Sequence, residues 1–355
     1  MAHFTQVRNP SRYTARNFDS RREVAAWLFI CCALVFLMLV VGGITRLTHS
    51  GLSIIEWQPL IGTVPPFNAA QWDTLFTQYQ ASPQYRQVNP GMSLDEFKGI
   101  FWWEYGHRLL GRVVGIVFLV PLLVFMWRGK IDRQIAPRLI GIFALGGLQG
   151  ALGWYMVKSG LVDYPQVSQF RLTAHLGLAF LIYAAMFWTA LQLLAPDWRP
   201  ATDPKRRGQR RFALFLCALI FLMALSGGLM AGIHAGLSYN TFPLMNGEFV
   251  PPEILQLEPW YLNLFSNMAT VQFDHRLIAW SLIVLVPLFW LRSRSIDLRP
   301  RASAACTLLL FVLIAQVTLG ISTLLLAVPL SLAVAHQAGA LLLFTVALWS
   351  AHELR

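Results

Sequence analysis

Four histidines of this chain occupy comparable positions on four apolar stretches. His107, His175, His275 and His336 each stand near the beginning of a segment long enough to cross a membrane. The four segments are alternate crossings, so they enter from one side and place the imidazoles in one layer near the outer surface. A single intramembrane histidine is typically an interhelical hydrogen-bonding group. Four in register favour a shared role as metal ligands.

Haem iron fits this layer best, because neutral imidazole binds iron well and two histidines on separate helices can hold a haem axially. A small residue follows each histidine by four positions on the same helix face, which leaves room for a flat macrocycle. These small residues are Gly111, Ala179, Ala279 and Ala340. Zinc is less favoured, since no cysteine or second carboxylate joins the layer at ligand-like spacing. The sequence therefore predicts two bis-histidine haem sites.

Charged residues accompany the first histidine of each pair. Arg108 and Arg276 directly follow it, and arginine forms bidentate bonds with carboxylates such as haem propionates; snorkelling to lipid headgroups is the alternative. Glu104 stands three positions before that histidine in the first half, where the second half has Gln272. A carboxylate can accept a proton or stabilise a carbocation, which an amide does not do at neutral pH. This asymmetry predicts a reactive first site and a permanent cofactor in the second; the alternative is that Glu104 is only a helix-start residue.

The composition indicates a polytopic membrane protein that positions these residues on helices. Of the 355 residues, 56% are hydrophobic and only 13% are charged. Eight apolar stretches are long enough to span a bilayer core of roughly 30 Å. They are 24–45, 105–127, 136–157, 172–194, 212–233, 272–291, 302–325 and 331–351.

Basic residues are concentrated between alternate spans, although the formal net charge is +11 overall. Most of the 28 Lys and Arg residues lie in 8–22, 128–138, 199–211 and 292–301. The positive-inside rule places these segments and both termini in the cytoplasm, so the basic excess reflects topology and does not indicate a nucleic acid partner. The four cysteines fall inside spans, which excludes an extracytoplasmic disulfide framework. The arginine-rich start slightly resembles a mitochondrial transit peptide but lacks a cleavage-like site, so we predict a bacterial inner (plasma) membrane.

The sequence pattern that ends the first span reappears at the end of the fifth. The pattern comprises Gly42-Gly43, His49 and Gly51-Leu52-Ser53, repeated at one constant offset as Gly227-Gly228, His234 and Gly236-Leu237-Ser238. An even number of spans separates the copies, so they have the same orientation. The predicted fold is all-α, with eight transmembrane helices as two tandem four-helix bundles, in repeats 1–200 and 201–355. The roles of His49 and His234 stay open.

Several motifs together resemble those of the haem A synthase family of bacteria and mitochondria. They are Gly42-Gly43-Ile44-Thr45-Arg46-Leu47-Thr48, Gly51-Leu52-Ser53 through Glu56-Trp57, Glu104-Tyr105-Gly106-His107-Arg108 and Asp274-His275-Arg276. The resemblance extends over nearly the whole chain, including the eight spans and the repeat. Some members carry a cysteine pair in the first outer loop, which this chain lacks, so no thiol step is expected there.

The resemblance implies oxidation of one ring methyl of haem O, first to an alcohol and then to a formyl group, giving haem A for cytochrome oxidase assembly. In the second half it implies haem b held by His275 and His336. In the first half it implies the substrate haem on His107 and His175, with Glu104 needed for activity. Haem O synthase would deliver the substrate, the electron-transfer partner is unidentified, the protein would contact membrane lipid, and a homo-oligomer is an open alternative.

Two other functions are compatible with the histidine layer or the repeat. A di-haem b electron-transfer protein would also need four histidines, but it would not need the difference between Glu104 and Gln272 and would hold a single porphyrin type. A transporter built from a parallel repeat would bind no haem at all. Identification of the extracted pigment separates the three functions.

Overall fold

Helices make up most of the computed structural model, which describes residues 10–56, 61–160, 167–195 and 203–355. In chain order they are α1 (Pro10–Leu47), α2 (Ala69–Gln80), α3 (Pro83–Gln87), α4 (Leu94–Trp127), α5 (Ala136–Gly160), α6 (Gln169–Leu194), α7 (Pro204–Gly232), α8 (Asn263–Ser266), α9 (Met268–Arg294), α10 (Pro300–Leu325) and α11 (Leu330–Glu353). Eight of them, all except α2, α3 and α8, are long and apolar enough to cross a membrane. The prediction of an all-α protein with eight transmembrane helices is confirmed within the described residues.

Helix α4 extends well beyond the apolar run that predicted it. It begins at Leu94 because Ser93 accepts a hydrogen bond from the Glu96 backbone N–H, while the Glu96 carboxylate accepts one from the Ser93 N–H at 2.8 Å. His107 is therefore several turns inside the helix and not in its first turns. Glu104 also lies in the helix interior, so the alternative of a plain helix-start residue is wrong.

The first outer loop folds into a packed cap on the extended end of α4. Tyr79 of α2 stacks on Phe97 of α4 with ring centroids 5.0 Å apart, and both side chains are fully buried. Trp72 packs edge-on against Phe101 at 4.9 Å. The Tyr105 hydroxyl donates a hydrogen bond to the Thr63 carbonyl at 2.6 Å, which ties the cap to the membrane helix.

The eight long helices contact one another in a regular order. Helices α1, α4, α5 and α6 each contact the next and α6 returns to α1, while α7, α9, α10 and α11 make the equivalent circuit. The circuits meet where α6 contacts α7 and α11, and where α1 contacts α11. A single buried apolar cluster runs through both, from Val24 to Leu354. Because this core is continuous, the division into two separate bundles stays a prediction.

A few predicted features fall outside the described residues. They are Trp57 of the first outer loop, Arg8 and Arg199 of the basic segments, and the boundary between 200 and 201. The two predicted repeats, 1–200 and 201–355, accordingly stay predictions.

Candidate functional site

Each of the four histidines packs its ring against a glycine of the preceding membrane helix. The contacts are His107 on Gly42, His175 on Gly153, His275 on Gly227 and His336 on Gly320. A Cβ atom at these glycines would stand between 2.8 and 3.5 Å from the nearest ring atom. At Gly42, Gly153 and Gly320, glycine therefore leaves the space that the imidazole occupies, whereas a Cβ at Gly227 would make an ordinary van der Waals contact with the ring. The same histidine–glycine contact recurs four times, which indicates four related positions in one scaffold.

The histidines are paired within each half of the chain. His107 is close enough to His175 for a direct electrostatic interaction, and His275 is likewise close to His336. Each pair joins helices that do not neighbour each other in their circuit, α4 with α6 and α9 with α11. The structure therefore brings together, within each half, the two histidines that the family resemblance pairs. Their roles as ligands stay predictions.

Two glutamines hold the second histidine of each pair. Gln149 of α5 donates from Nε2 to the backbone carbonyl of His175 at 3.0 Å, and Gln316 of α10 does the same to His336 at 2.9 Å. The Nδ1 atoms of both histidines and the Oε1 atoms of both glutamines are buried without a hydrogen-bond partner in the described part of the chain. Buried polar atoms of native proteins are rarely left unpaired. Ring nitrogens that are buried without a partner fit a role in which the histidines bind a metal.

Glu104 is almost fully buried, with 2% of its surface exposed, and its carboxylate accepts four hydrogen bonds. Oε2 accepts from the Ser53 hydroxyl at 2.7 Å and from the Ile54 backbone N–H at 2.8 Å. Oε1 accepts from Nη2 and Nε of Arg108 at 2.6 and 3.1 Å. The carboxylate therefore fixes the start of the first outer loop to α4 and forms an ion pair with Arg108.

Gln272 makes the corresponding attachment in the second half with the opposite polarity. Its Nε2 donates to the Ala235 carbonyl at 2.9 Å, and its Oε1 accepts from Nη2 of Arg276 at 3.3 Å. The Glu104 carboxylate therefore faces a backbone donor, the Ile54 N–H, and the Gln272 amide faces a backbone acceptor, the Ala235 carbonyl. The exchange of Glu for Gln thus matches the backbone group that each side chain meets.

The two arginines clamp equivalent loop carbonyls. Arg108 donates to the carbonyls of Ile54 and Glu56 at 2.8 and 3.5 Å. Arg276 donates at 3.0 and 2.9 Å to the carbonyls of Tyr239 and Thr241, which stand at the constant offset of the repeat. Both guanidiniums therefore already have protein partners. Their predicted contact with haem propionates stays a prediction.

His49 and His234 meet across the two halves. Their rings stack with centroids 6.4 Å apart, and both residues adopt a left-handed backbone conformation. Burial, with added repulsion from Arg46 and His49, lowers the pKa of His234. No group of three or more His, Cys, Asp or Glu side chains within the described ranges could hold a metal ion.

An apolar cavity of about 750 Å³ lies between α6, α7 and α9. The carboxylate-bearing Asp274 and the hydroxyl-bearing Thr173 and Ser226 line it beside aliphatic and aromatic side chains. Ser226, one of its lining residues, also contacts the ring of His275. Neither His275 nor His336 is itself among the lining residues.

The glycines that contact the histidine rings were absent from the sequence prediction. The small residues four positions after each histidine were predicted to provide clearance, whereas the structure places the glycines of the preceding helices against the rings. The pattern Gln149-x-x-x-Gly153 returns as Gln316-x-x-x-Gly320. This repeated spacing is a signal that could have identified both the glutamines and the glycines.

Comparisons with known proteins agree with the motifs and the fold. The COX15-CtaA family model, described as cytochrome oxidase assembly protein, matches residues 25–348. A protein of Nitrosospira multiformis named "Heme A synthase" is 63% identical and covers 99% of each chain. Proteins of the same name from Nitrosomonas eutropha and Paramagnetospirillum magneticum are 58% and 48% identical, over 97% and 94% of each chain. The chain therefore belongs to the COX15-CtaA family of cytochrome oxidase assembly proteins.

Proposed function

We propose that this protein makes haem A, by oxidising one ring methyl of haem O to a formyl group for use in cytochrome oxidase. The observation that carries this proposal is identity of up to 63%, over nearly the full chain, to proteins named heme A synthase. The two histidine pairs seated on glycines support it, because the reaction needs a place for a substrate haem and a place for a cofactor haem.

The second half is the proposed haem b site. His275 and His336 would hold its iron, since the two side chains lie close together and the Nδ1 of His336 lacks a protein partner among the described residues. When bound, haem b supplies one-electron transfer. The protein's own contribution is to fix both imidazoles, in part through the hydrogen bond from Gln316 to the His336 carbonyl.

The first half is the proposed substrate site, with His107 and His175 as the groups that bind the iron of haem O. Glu104 would act there on the reacting carbon. Its four hydrogen bonds and its ion pair with Arg108 hold the carboxylate in one position, from which it would accept a proton or stabilise an electron-poor carbon. Oxidation proceeds from methyl to alcohol and then, through a second oxidation and loss of water, to the aldehyde.

The cellular setting follows from the membrane spans and the relatives. We place the protein in the bacterial inner membrane with both termini in the cytoplasm, because the basic segments lie between alternate spans. Haem O would arrive from haem O synthase, and a separate redox protein or small carrier would exchange electrons. The histidine layer would then lie toward the outer face.

Pigment analysis of the purified protein tests the proposal. The protein, produced in cells that make haem O, should carry haem b together with haem O or haem A, as identified by mass after extraction. His336→Ala should lose the haem b absorption, while the control His49→Ala should retain it. Haem b as the sole porphyrin would instead indicate a di-haem electron-transfer protein, and a colourless protein would contradict any haem function.

A further inference from the structure

Ser226 of α7 forms a hydrogen bond with the ring of His275. Its Oγ lies 2.8 Å from Nδ1 of His275 and 2.8 Å from the backbone carbonyl of Met223. A hydroxyl has one proton, and the Met223 carbonyl can only accept it. Donation to that carbonyl leaves the Ser226 oxygen to accept from Nδ1–H, which corresponds to the tautomer of His275 whose Nε2 carries the lone pair.

The first half carries a residue without a hydroxyl at the position equivalent to Ser226. Gly227 seats His275 as Gly42 seats His107, so the residue before each glycine occupies the same place in the repeat. That residue is Ser226 in the second half and Val41 in the first. A valine side chain cannot accept a hydrogen bond from an imidazole N–H.

We propose that Ser226 is a positioning residue that fixes the tautomer and ring orientation of His275, so that the second site retains its haem, while Val41 leaves the first site without this restraint. The inference rests on the proposed function. Metal-binding histidines commonly donate their other N–H to a fixed acceptor, and loss of that acceptor typically costs about 10- to 100-fold in metal affinity. A cofactor must stay bound, whereas a substrate porphyrin must enter and its product must leave.

Three variants of the full-length protein test the inference. Ser226→Ala removes the hydroxyl, and Ser226→Thr retains it; Ser226 lines the 750 Å³ cavity, so the additional methyl group has room. Ser350→Ala is the matched control, because the Ser350 hydroxyl is also buried on a membrane helix and donates only to the Val346 carbonyl at 2.9 Å.

The measurements are the rate of haem b transfer to apomyoglobin and the midpoint potential of the retained haem b. Ser226→Ala should release haem b about 10- to 100-fold faster, with a higher midpoint potential because the imidazole becomes a weaker electron donor. Ser226→Thr and Ser350→Ala should match the unaltered protein. In the reciprocal variant Val41→Ser, release of the porphyrin of the first site should slow.

Three results would overturn the inference. A Ser226→Ala protein with unchanged release rate and potential contradicts it, while the haem b in that protein leaves the proposed function intact. If Ser226→Ala does not fold, unchanged porphyrin release from Val41→Ser contradicts the inference instead. An unaltered protein without haem b would contradict the proposed function, and this inference with it.

Discussion

The substitution Glu104→Gln separates a loop-holding role of this residue from a purely chemical one. The carboxylate faces donors on both sides, the Ile54 N–H and the Ser53 hydroxyl on Oε2 and the Arg108 guanidinium on Oε1. A glutamine has one acceptor oxygen, so its amide group must point at one of these donors. We therefore expect the attachment of the first outer loop to α4 to weaken.

The magnitude follows from the hydrogen bond between the Ile54 N–H and the carboxylate. A hydrogen bond to a charged group contributes about 1.5–3 kcal/mol. A loss of about 2 kcal/mol raises the population of the locally open loop about 30-fold, since about 1.4 kcal/mol corresponds to a factor of ten. The amide of Ile54 should therefore exchange its hydrogen about 30-fold faster in the variant.

Hydrogen exchange with mass detection on a peptide that includes Ile54 measures this change. Glu96→Gln is the matched control, because it makes the same substitution on the same helix at an exposed capping position where glutamine also serves. The control should exchange like the unaltered protein at Ile54. If Glu104→Gln abolishes haem A formation while exchange at Ile54 stays unchanged, the carboxylate does not hold the loop and our reasoning is refuted.

Two further predictions concern the histidine seat and the second outer loop. Gly153→Ala places a Cβ 3.0 Å from the His175 ring and should lower porphyrin affinity at the first site by about tenfold, as measured by porphyrin titration. The control Gly150→Ala places a Cβ with no atom within 4 Å and should leave the titration unchanged. The Tyr239 hydroxyl donates to Glu253 at 2.6 Å, which lowers the pKa of Glu253, while burial and this contact raise the pKa of Tyr239 to about 12. The Glu253 carboxylate therefore stabilises the folded loop above its ordinary pKa of 4.5, and this stabilisation is lost as the pH falls through the lowered pKa. The contribution of Tyr239 to loop stability is lost as the pH rises from 10 to 12. Hydrogen exchange of 251–258, corrected for intrinsic rates, should show the acid transition, and Tyr239→Phe should remove it.

The helices were predictable because their signal is local. A run of apolar residues long enough to cross a bilayer needs no knowledge of its neighbours, and all eight such runs correspond to long helices in the described residues. The extension of α4 back to Leu94 was missed because its aromatic, partly polar turns belong to the cap and not to the apolar run. The capping box of Ser93 and Glu96 was its readable signal.

The candidate site was predictable only in part. The histidine layer follows from the order of the helices, so the pairs that the sequence predicts are brought together in the structure. The seats on Gly42 and Gly320 depend on how neighbouring helices are rotated against each other, which a single sequence does not specify. One loop-side partner of Glu104 is the Ser53 hydroxyl and the other is the Ile54 backbone N–H, and a backbone partner leaves no mark in the residue types.

The contrast between Glu104 and Gln272 has a consequence for charge as well as for loop attachment. The ion pair with Glu104 neutralises Arg108, whereas the described contacts of Arg276 are all with uncharged oxygens, four loop carbonyls and the Gln272 amide. Both arginines lie close enough to the preceding histidine for an electrostatic interaction. The same exchange that fits each loop backbone thus gives these two arginines partners of different charge.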